Sequence, residues 1–454
     1  MKPLDLEGRR ATVMGGARSG MAAALFLTWS GAQVFLSELR ELPPDNERSL
    51  RAAGVEFETG GHSARCLDAD VLVLSPGVPD TVEVVSEALR RGLPTVSETE
   101  LASRYCEAPI VAVTGTNGKT TVTSLIGDMF RRTGRRTLVA GNIGRPLSAS
   151  LREIKESDVV VLEVSSFQLD HTTTFRPAVS VLLNVTPDHL DRYGGDVERY
   201  AESKYRVFAN QRDNDVFVYN LDDARIRERA AACTELKTAA FSCTTVPDRG
   251  AWLQGESIAI RFNGEEETLL DAKELALPGR HNVYNSLAAA VAARALAARN
   301  DVIRESLRGF QGVEHRLEFV RELSGVRWIN DSKATNVHAL RCALESFDNA
   351  VVLIVGGRDK GNDWRSIRQA VRTKVHAIIS FGECADTVLR QIGGLATKAA
   401  RVATLEEASR VAQSMARPGD VVLLSPACAS FDQFTDYEHR GRAFKQIVQR
   451  LRGA

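Results

Sequence analysis

Apolar, β-branched runs recur along this chain, and each leads into a glycine-rich turn and then an Ala/Leu-rich stretch of helical composition. The run at 11–14 precedes GGARSG, that at 71–74 precedes SPG, and that at 110–113 precedes TGTNGKTT. Further runs lie at 159–164, 179–184, 351–355 before GGRDKGND, and 421–424 before SPACAS. Strands that alternate with helices build parallel sheets from βαβ units, so an α/β class follows. A chain of 454 residues is too long for one core, and at about 150 residues per domain three are expected. New βα series set the boundaries at 1–107, 108–312 and 313–454, the central domain ending with the helix of HNVYNSLAAAVAARALAA.

Lys+Arg and Asp+Glu both number 58. No global field therefore draws the chain to nucleic acid or to a membrane surface, and an anionic ligand has to be held by local cations and backbone amides. The seven cysteines are scattered without CxxC spacing, which suits free thiols in a reducing cytosol rather than a disulfide framework or a zinc site. MKPLDLEGRR has no apolar run behind a basic start, so no secretory signal is expected. No stretch approaches the roughly 18 uninterrupted apolar residues of a spanning helix. The expectation is a cytoplasmic monomer with neither nucleic acid nor membrane as partner.

Gly115, Thr116, Asn117, Gly118, Lys119, Thr120 and Thr121 lie between a buried strand and a helix. Glycines there let backbone N–H groups turn toward phosphates, the helix adds its positive end, Lys119 reaches the terminal phosphates, and the Thr120 hydroxyl can ligate Mg²⁺. The common G-x-x-x-x-G-K-[ST] pattern would have glycine where Val113 stands. Glu163 ends an apolar strand, where a carboxylate is costly to bury unless paired or metal-bound; capping the following Ser165-Ser166 turn is the plainer alternative. His189 follows a strand and is flanked by Asp188 and Asp191, which suits a ligand of Mg²⁺ or substrate. Lys204, in RYAESKYRVF, shares a helix face with Tyr200 and Phe208, and a lysine there either snorkels to solvent or is held desolvated.

GGARSG approaches a Rossmann dinucleotide fingerprint, with Ala17 in the middle glycine's place and Glu38 about where a ribose-binding acid would stand. Taken alone, it leaves an NAD-dependent oxidoreductase open. In the third domain, Arg316 opens the strand of EHRLE, where a guanidinium can hold phosphates bidentately. Asp331, Lys333 and Thr335 crowd one loop after a strand; Lys360 and Ser430 end two more. Loops at the C-terminal ends of parallel strands face the ligand crevice of an open sheet, although a charged loop can also be merely solvated.

TGTNGKTT with Val113 before it, VLEVSSFQL, NVTPDHLDRY, LPGRHNVYNSLAA, EHRLE, NDSKATN and SPACASFDQF occur in order over nearly the whole chain. Together they resemble the Mur ligases and the folylpolyglutamate synthases. SPACASFDQF, with no DNPR in this domain, is similar to the D-glutamate-adding Mur ligases. The resemblance implies a Rossmann-like N-terminal domain, a central P-loop ATPase-like domain and a Rossmann-like C-terminal domain. It implies ATP and Mg²⁺ as cofactors, and UDP-N-acetylmuramoyl-L-alanine and D-glutamate as substrates. Glu163 and His189 would help hold Mg²⁺ together with Lys204 as a carbamate, and Asn142 would touch substrate and nucleotide. Asn282 would meet adenine, or otherwise cap its helix. The GGARSG turn would receive the UDP diphosphate, with Ser19 and Ser75 as further contacts and Glu38 and Arg40 near uracil. Lys333, Thr335, Lys360, Ser430 and Tyr437 would bind D-glutamate. A folylpolyglutamate synthase would share the phosphate loop but not the first domain, and a purely nucleotide-sensing protein would leave Glu163, His189 and Lys204 without a role.

Overall fold

The apolar runs become strands because they are buried on both faces, as parallel strands covered by helices must be. The computed structural model describes residues 5–359 and 361–453 and contains three sheets. The first has five parallel strands in the order Glu56–Glu58, Gln33–Ser37, Arg10–Met14, Val71–Leu74, Thr95–Ser97. Its order reverses between Arg10–Met14 and Val71–Leu74. The Gly15 turn and Ser75 therefore stand side by side at the crevice where ligands of such sheets bind.

The second sheet has nine strands. Thr137–Gly141, Val159–Glu163, Ile110–Thr114, Val179–Leu182, Val216–Asn220, Lys237–Ser242 and Gly250–Gln254 run parallel. Ser257–Phe262 and Glu265–Asp271 then turn antiparallel and end the sheet. On one face lies the helix Arg280–Ala295, in which Leu287, Ala288, Ala289, Ala290, Val291, Ala292 and Ala293 are all fully buried. So many small side chains let the helix lie close to the strands. The helix of HNVYNSLAAAVAARALAA, expected to be the last before the boundary at 312, stops at Ala295, and a second helix spans Asn300–Gly309.

The third sheet carries Glu318–Leu323, Val326–Asn330, Val421–Leu424, Val351–Gly356, Val375–Phe381 and Lys398–Arg401, parallel except for the first pair. The chain divides into two units. One holds the first two sheets, up to Leu275 together with Val283–Phe310; the other holds Ala276–Asn282 and the chain from Gln311.

Within the first unit the two sheets are pinned by Glu100, whose side chain is fully buried. It accepts hydrogen bonds from the backbone N–H groups of Thr173, Thr174 and Phe175, from both threonine hydroxyls and from Arg104. Burial alone would raise this carboxyl, but the donors led by Thr174 and Arg104 outweigh it and hold it below the usual range.

Candidate functional site

The strand Ile110–Thr114 delivers the chain into a loop that ends at Gly118, and the helix Lys119–Arg132 follows at once. Gly118 has φ 87°, and a Cβ there would strike the Asn285 side chain, so the position requires glycine. Asn184, just beyond the neighbouring strand, braces the loop. Its carbonyl takes the Thr116 N–H (2.9 Å), and its side chain pairs with the backbone of Asn117 in both directions (2.8 and 3.0 Å). Two loop amides are thus held by Asn184, and the helix N-terminus that begins at Lys119, Thr120 and Thr121 brings a positive dipole end to the same loop. Lys119 Nζ donates to the carbonyls of Gly115 and Thr116 at 2.9 and 2.8 Å.

Glu163 is 1% exposed at the end of its strand. It accepts from the Thr120 hydroxyl at 2.7 Å and from Asn142 Nδ2 at 3.0 Å. It does not cap the next turn, where Ser165 and Gln168 form their own capping box. Lys204, on the helix Val197–Tyr205, is equally buried. Its Nζ donates to Gly115 O at 3.1 Å and lies 4.3 Å from the centre of the Tyr200 ring. Burial first, and the nearby Lys119 second, push the Lys204 amine well below the ordinary lysine range. Lys119, Thr120, Asn142, Glu163 and Lys204 are therefore one cluster. His189 lies on a loop after the strand Val179–Leu182. It has φ 51°, precedes the short turn Leu190–Tyr193, and meets Phe167 edge-on at 6.1 Å.

In the first sheet, Glu38 accepts from the Gly16 N–H (2.5 Å) and the Arg40 N–H (3.0 Å), which braces the glycine turn. Ser75 is buried, and its hydroxyl donates to Gly15 O at 2.9 Å. Gly20 packs so close to that carbonyl that no Cβ fits. Ser19 is half-buried in the first turn of the helix Arg18–Trp29, and the Arg40 side chain is exposed.

In the second unit, Arg316 does not open a strand. His315 and Leu317 on either side of it have positive φ (65° and 45°), and the strand begins only at Glu318. This irregular loop sets Arg316 3.7 Å from Asp331. Asp331 is fully buried, accepts from Ser425 Oγ at 2.8 Å and from the Leu317 N–H at 3.2 Å, and has its carboxyl raised to about 6 by burial, against the pull of Arg316. Lys333 Nζ donates to Tyr437 Oη at 3.1 Å. Thr335 is half-buried two residues on. Ser430 is buried beside Ala429, whose backbone pairs with Arg358 in the GGRDKGND loop; Lys360 in that loop lies outside the described residues. Asn282 lies inside the first turn of its helix rather than capping it, and its side chain donates to Pro278 O at 2.7 Å.

Sequence reasoning missed Arg440. This guanidinium is fully buried, donates to Ser332 Oγ and O and to Cys428 O, and so braces both the NDSKATN and SPACAS loops. Nothing in YEHRGRAF distinguishes it from a solvated arginine.

Comparison with known proteins bears on all these segments. The Mur ligase middle domain matches residues 113–293, the "Mur ligase, glutamate ligase domain" residues 315–428, and the MurD N-terminal domain residues 16–84. The last match takes in the GGARSG turn and leaves the oxidoreductase alternative without support. A UDP-N-acetylmuramoylalanine--D-glutamate ligase of Salinibacter ruber is 54% identical over 99% of this chain and 100% of its own. One of Chloroherpeton thalassium is 43% identical over 98% and 99%. The fold is similar to that of the UDP-N-acetylmuramate-alanine ligase of Thermotoga maritima, with a TM-score of 0.60 at 21% identity over 97% and 99% of the two chains. The chain belongs to the Mur ligase family of ATP-dependent ligases, in its D-glutamate-adding branch.

Proposed function

We propose that this chain joins D-glutamate to UDP-N-acetylmuramoyl-L-alanine in the cytoplasm, as a step of peptidoglycan synthesis. The observation that carries the reading is the full-length identity to ligases of that name, joined to the cluster of Lys119, Thr120 and Glu163 behind the phosphate loop. The L-alanyl carboxylate attacks the γ-phosphorus of ATP, which gives an acyl phosphate and releases ADP. The amine of D-glutamate attacks the activated carbonyl and loses a proton, and inorganic phosphate leaves from the tetrahedral intermediate. Carboxylate itself is a poor electrophile, so the protein's task is to position three substrates and to neutralise phosphate charge.

Lys119 and Arg316 supply fixed positive charge to ATP, Asp331 and Asn282 further contacts to it, and Asn142 a contact shared with substrate. The GGARSG turn with Ser19, Glu38, Arg40 and Ser75 receives the UDP end. Lys333, Thr335, Lys360, Ser430 and Tyr437 receive the two carboxylates of D-glutamate, which need converging cations and hydroxyls. The oxygen donors Thr120 and Glu163, adjacent at 2.7 Å, suit a hard Mg²⁺ ion, with His189 as a further ligand. When bound, that ion neutralises phosphate charge.

Lys204 carries a carbamate: its neutral amine adds to CO₂ and releases a proton. The buried amine beside Lys119 supports this reading, since both influences favour the neutral form that reacts. The test is phosphate release from ATP and Mg²⁺ with panels of UDP-muramoyl acceptors and amino acids. Release should require UDP-N-acetylmuramoyl-L-alanine and D-glutamate together, with L-glutamate and L-lysine inert. Equal turnover with L-lysine or diaminopimelate would overturn the assignment.

A further inference from the structure

Arg192 has no part in the roles set out above, yet it ties two of their pieces together. Its guanidinium donates to the carbonyls of Pro76 (3.2 Å) and Val78 (3.3 Å), in the segment directly after Ser75. The same group lies 5.2 Å from the centre of the Phe167 ring, and Phe167 meets His189 edge-on. Ser75 in turn holds the Gly15 carbonyl. One planar cation thus completes a continuous series of contacts from the glycine turn of the first sheet to the His189 loop of the second. Asp80 stands close enough for Arg192 to favour its charged form, although His171 does more.

Arginine suits this position better than lysine. Its Nη1 reaches Pro76 and its Nη2 reaches Val78 while the guanidinium plane meets the Phe167 ring, whereas a lysine ammonium would have to serve both carbonyls from a single, more strongly hydrated nitrogen. The series also has a direction that matters chemically. Under the function proposed above, on which this inference rests, the UDP end of the acceptor lies at the Gly15 turn and its carboxylate lies toward the phosphate loop. The acceptor therefore spans the interval that Arg192 fixes, whereas ATP and D-glutamate do not. We infer that Arg192 is a positioning residue that sets the span of the UDP-muramoyl acceptor site, and so governs recognition of that substrate alone.

A merely structural staple would affect all three substrates through stability, and the KM values separate the two cases. Arg192→Ala should raise KM for UDP-N-acetylmuramoyl-L-alanine at least about tenfold, the equivalent of about 1.4 kcal/mol of binding, and leave the KM values for ATP and D-glutamate near those of the parent. Arg192→Lys should recover only a minor part of the loss. Low-millimolar guanidinium ion should lower the raised KM of Arg192→Ala and leave the parent protein unaffected. An unchanged acceptor KM in Arg192→Ala overturns the inference, as do equal rises for all three substrates or full function in Arg192→Lys. Should Arg192→Ala fail to fold, Arg192→Lys carries the same comparison. Parent protein inactive with this acceptor would overturn the functional reading and the inference with it; active parent with indifferent Arg192 variants overturns the inference alone.

Discussion

Lys119 and Lys204 donate hydrogen bonds to one and the same oxygen, the carbonyl of Gly115, at 2.9 and 3.1 Å. Two ammonium groups on one acceptor repel each other, and Lys204 is fully desolvated besides. Burial first and the Lys119 ammonium second therefore hold the Lys204 amine well below the ordinary lysine range. An unperturbed lysine would be neutral in only roughly one molecule in 2,500 at pH 7.

The first prediction follows from that pairing. Lys204→Ala should be nearly inactive in phosphate release, and a short carboxylic acid added to the variant should restore part of the activity by replacing the carbamate. Full activity in Lys204→Ala would exclude the modification as a requirement.

Lys119→Ala removes the phosphate cation without touching the core. It should keep its fold by circular dichroism and lose on the order of 3 kcal/mol of transition-state stabilisation, roughly a hundredfold in rate. Near-normal turnover would show that the loop does no catalytic work on phosphate.

Asp331 leads to a pH prediction. Its ordinary value of 3.8 is raised to about 6 in the fold by burial, so its protonated form is favoured there, and its contribution to stability declines as pH rises from about 3.8 to 6. Above about 6 it is charged and can hold Arg316. Turnover should therefore climb through pH 6 in the parent protein, while Asp331→Asn should be slow and lack that rise. A parent-like acid limb in the variant would assign it to another group.

Glu100 has the opposite sign. Its carboxyl is held below the ordinary 4.5, so the stability it contributes is present above about pH 4.5 and is lost as pH falls through its depressed value. Glu100→Ala leaves Arg104 and three backbone amides without their acceptor, and should cost roughly 3–5 kcal/mol by chemical denaturation at pH 7. A loss below about 1 kcal/mol, as for an exposed ion pair, would show that the pin between the two sheets is weak.

The architecture was legible because parallel strands must be apolar on both faces and the turns between them need glycine, so both signals are local. The phosphate loop was legible for the same reason. Arg316 was misplaced because a left-handed residue such as His315 leaves no mark in the letters EHRLE, and the strand was read too early. Arg192, Arg440 and Ser425 were not singled out because each gains its role from a partner far away in sequence. Pro76 lies 116 residues from Arg192, Ser332 lies 108 from Arg440, and Asp331 lies 94 from Ser425. An arginine that will be buried looks, in sequence, like one that will be solvated.

The antiparallel strand that closes the central sheet begins with Glu265, Glu266 and Glu267, and all three side chains are exposed. An outermost strand offers backbone groups to any other strand that arrives, and a second copy would have either to break the ion pairs of Glu266 with Arg261 and of Glu267 with Arg304 or to bring like carboxylates together. Repulsion then grows fastest in the in-register pairing that would otherwise extend the sheet from molecule to molecule. The margin of the central sheet thus carries its own safeguard against fibre-like assembly, one that should weaken in acid as those carboxylates lose their charge.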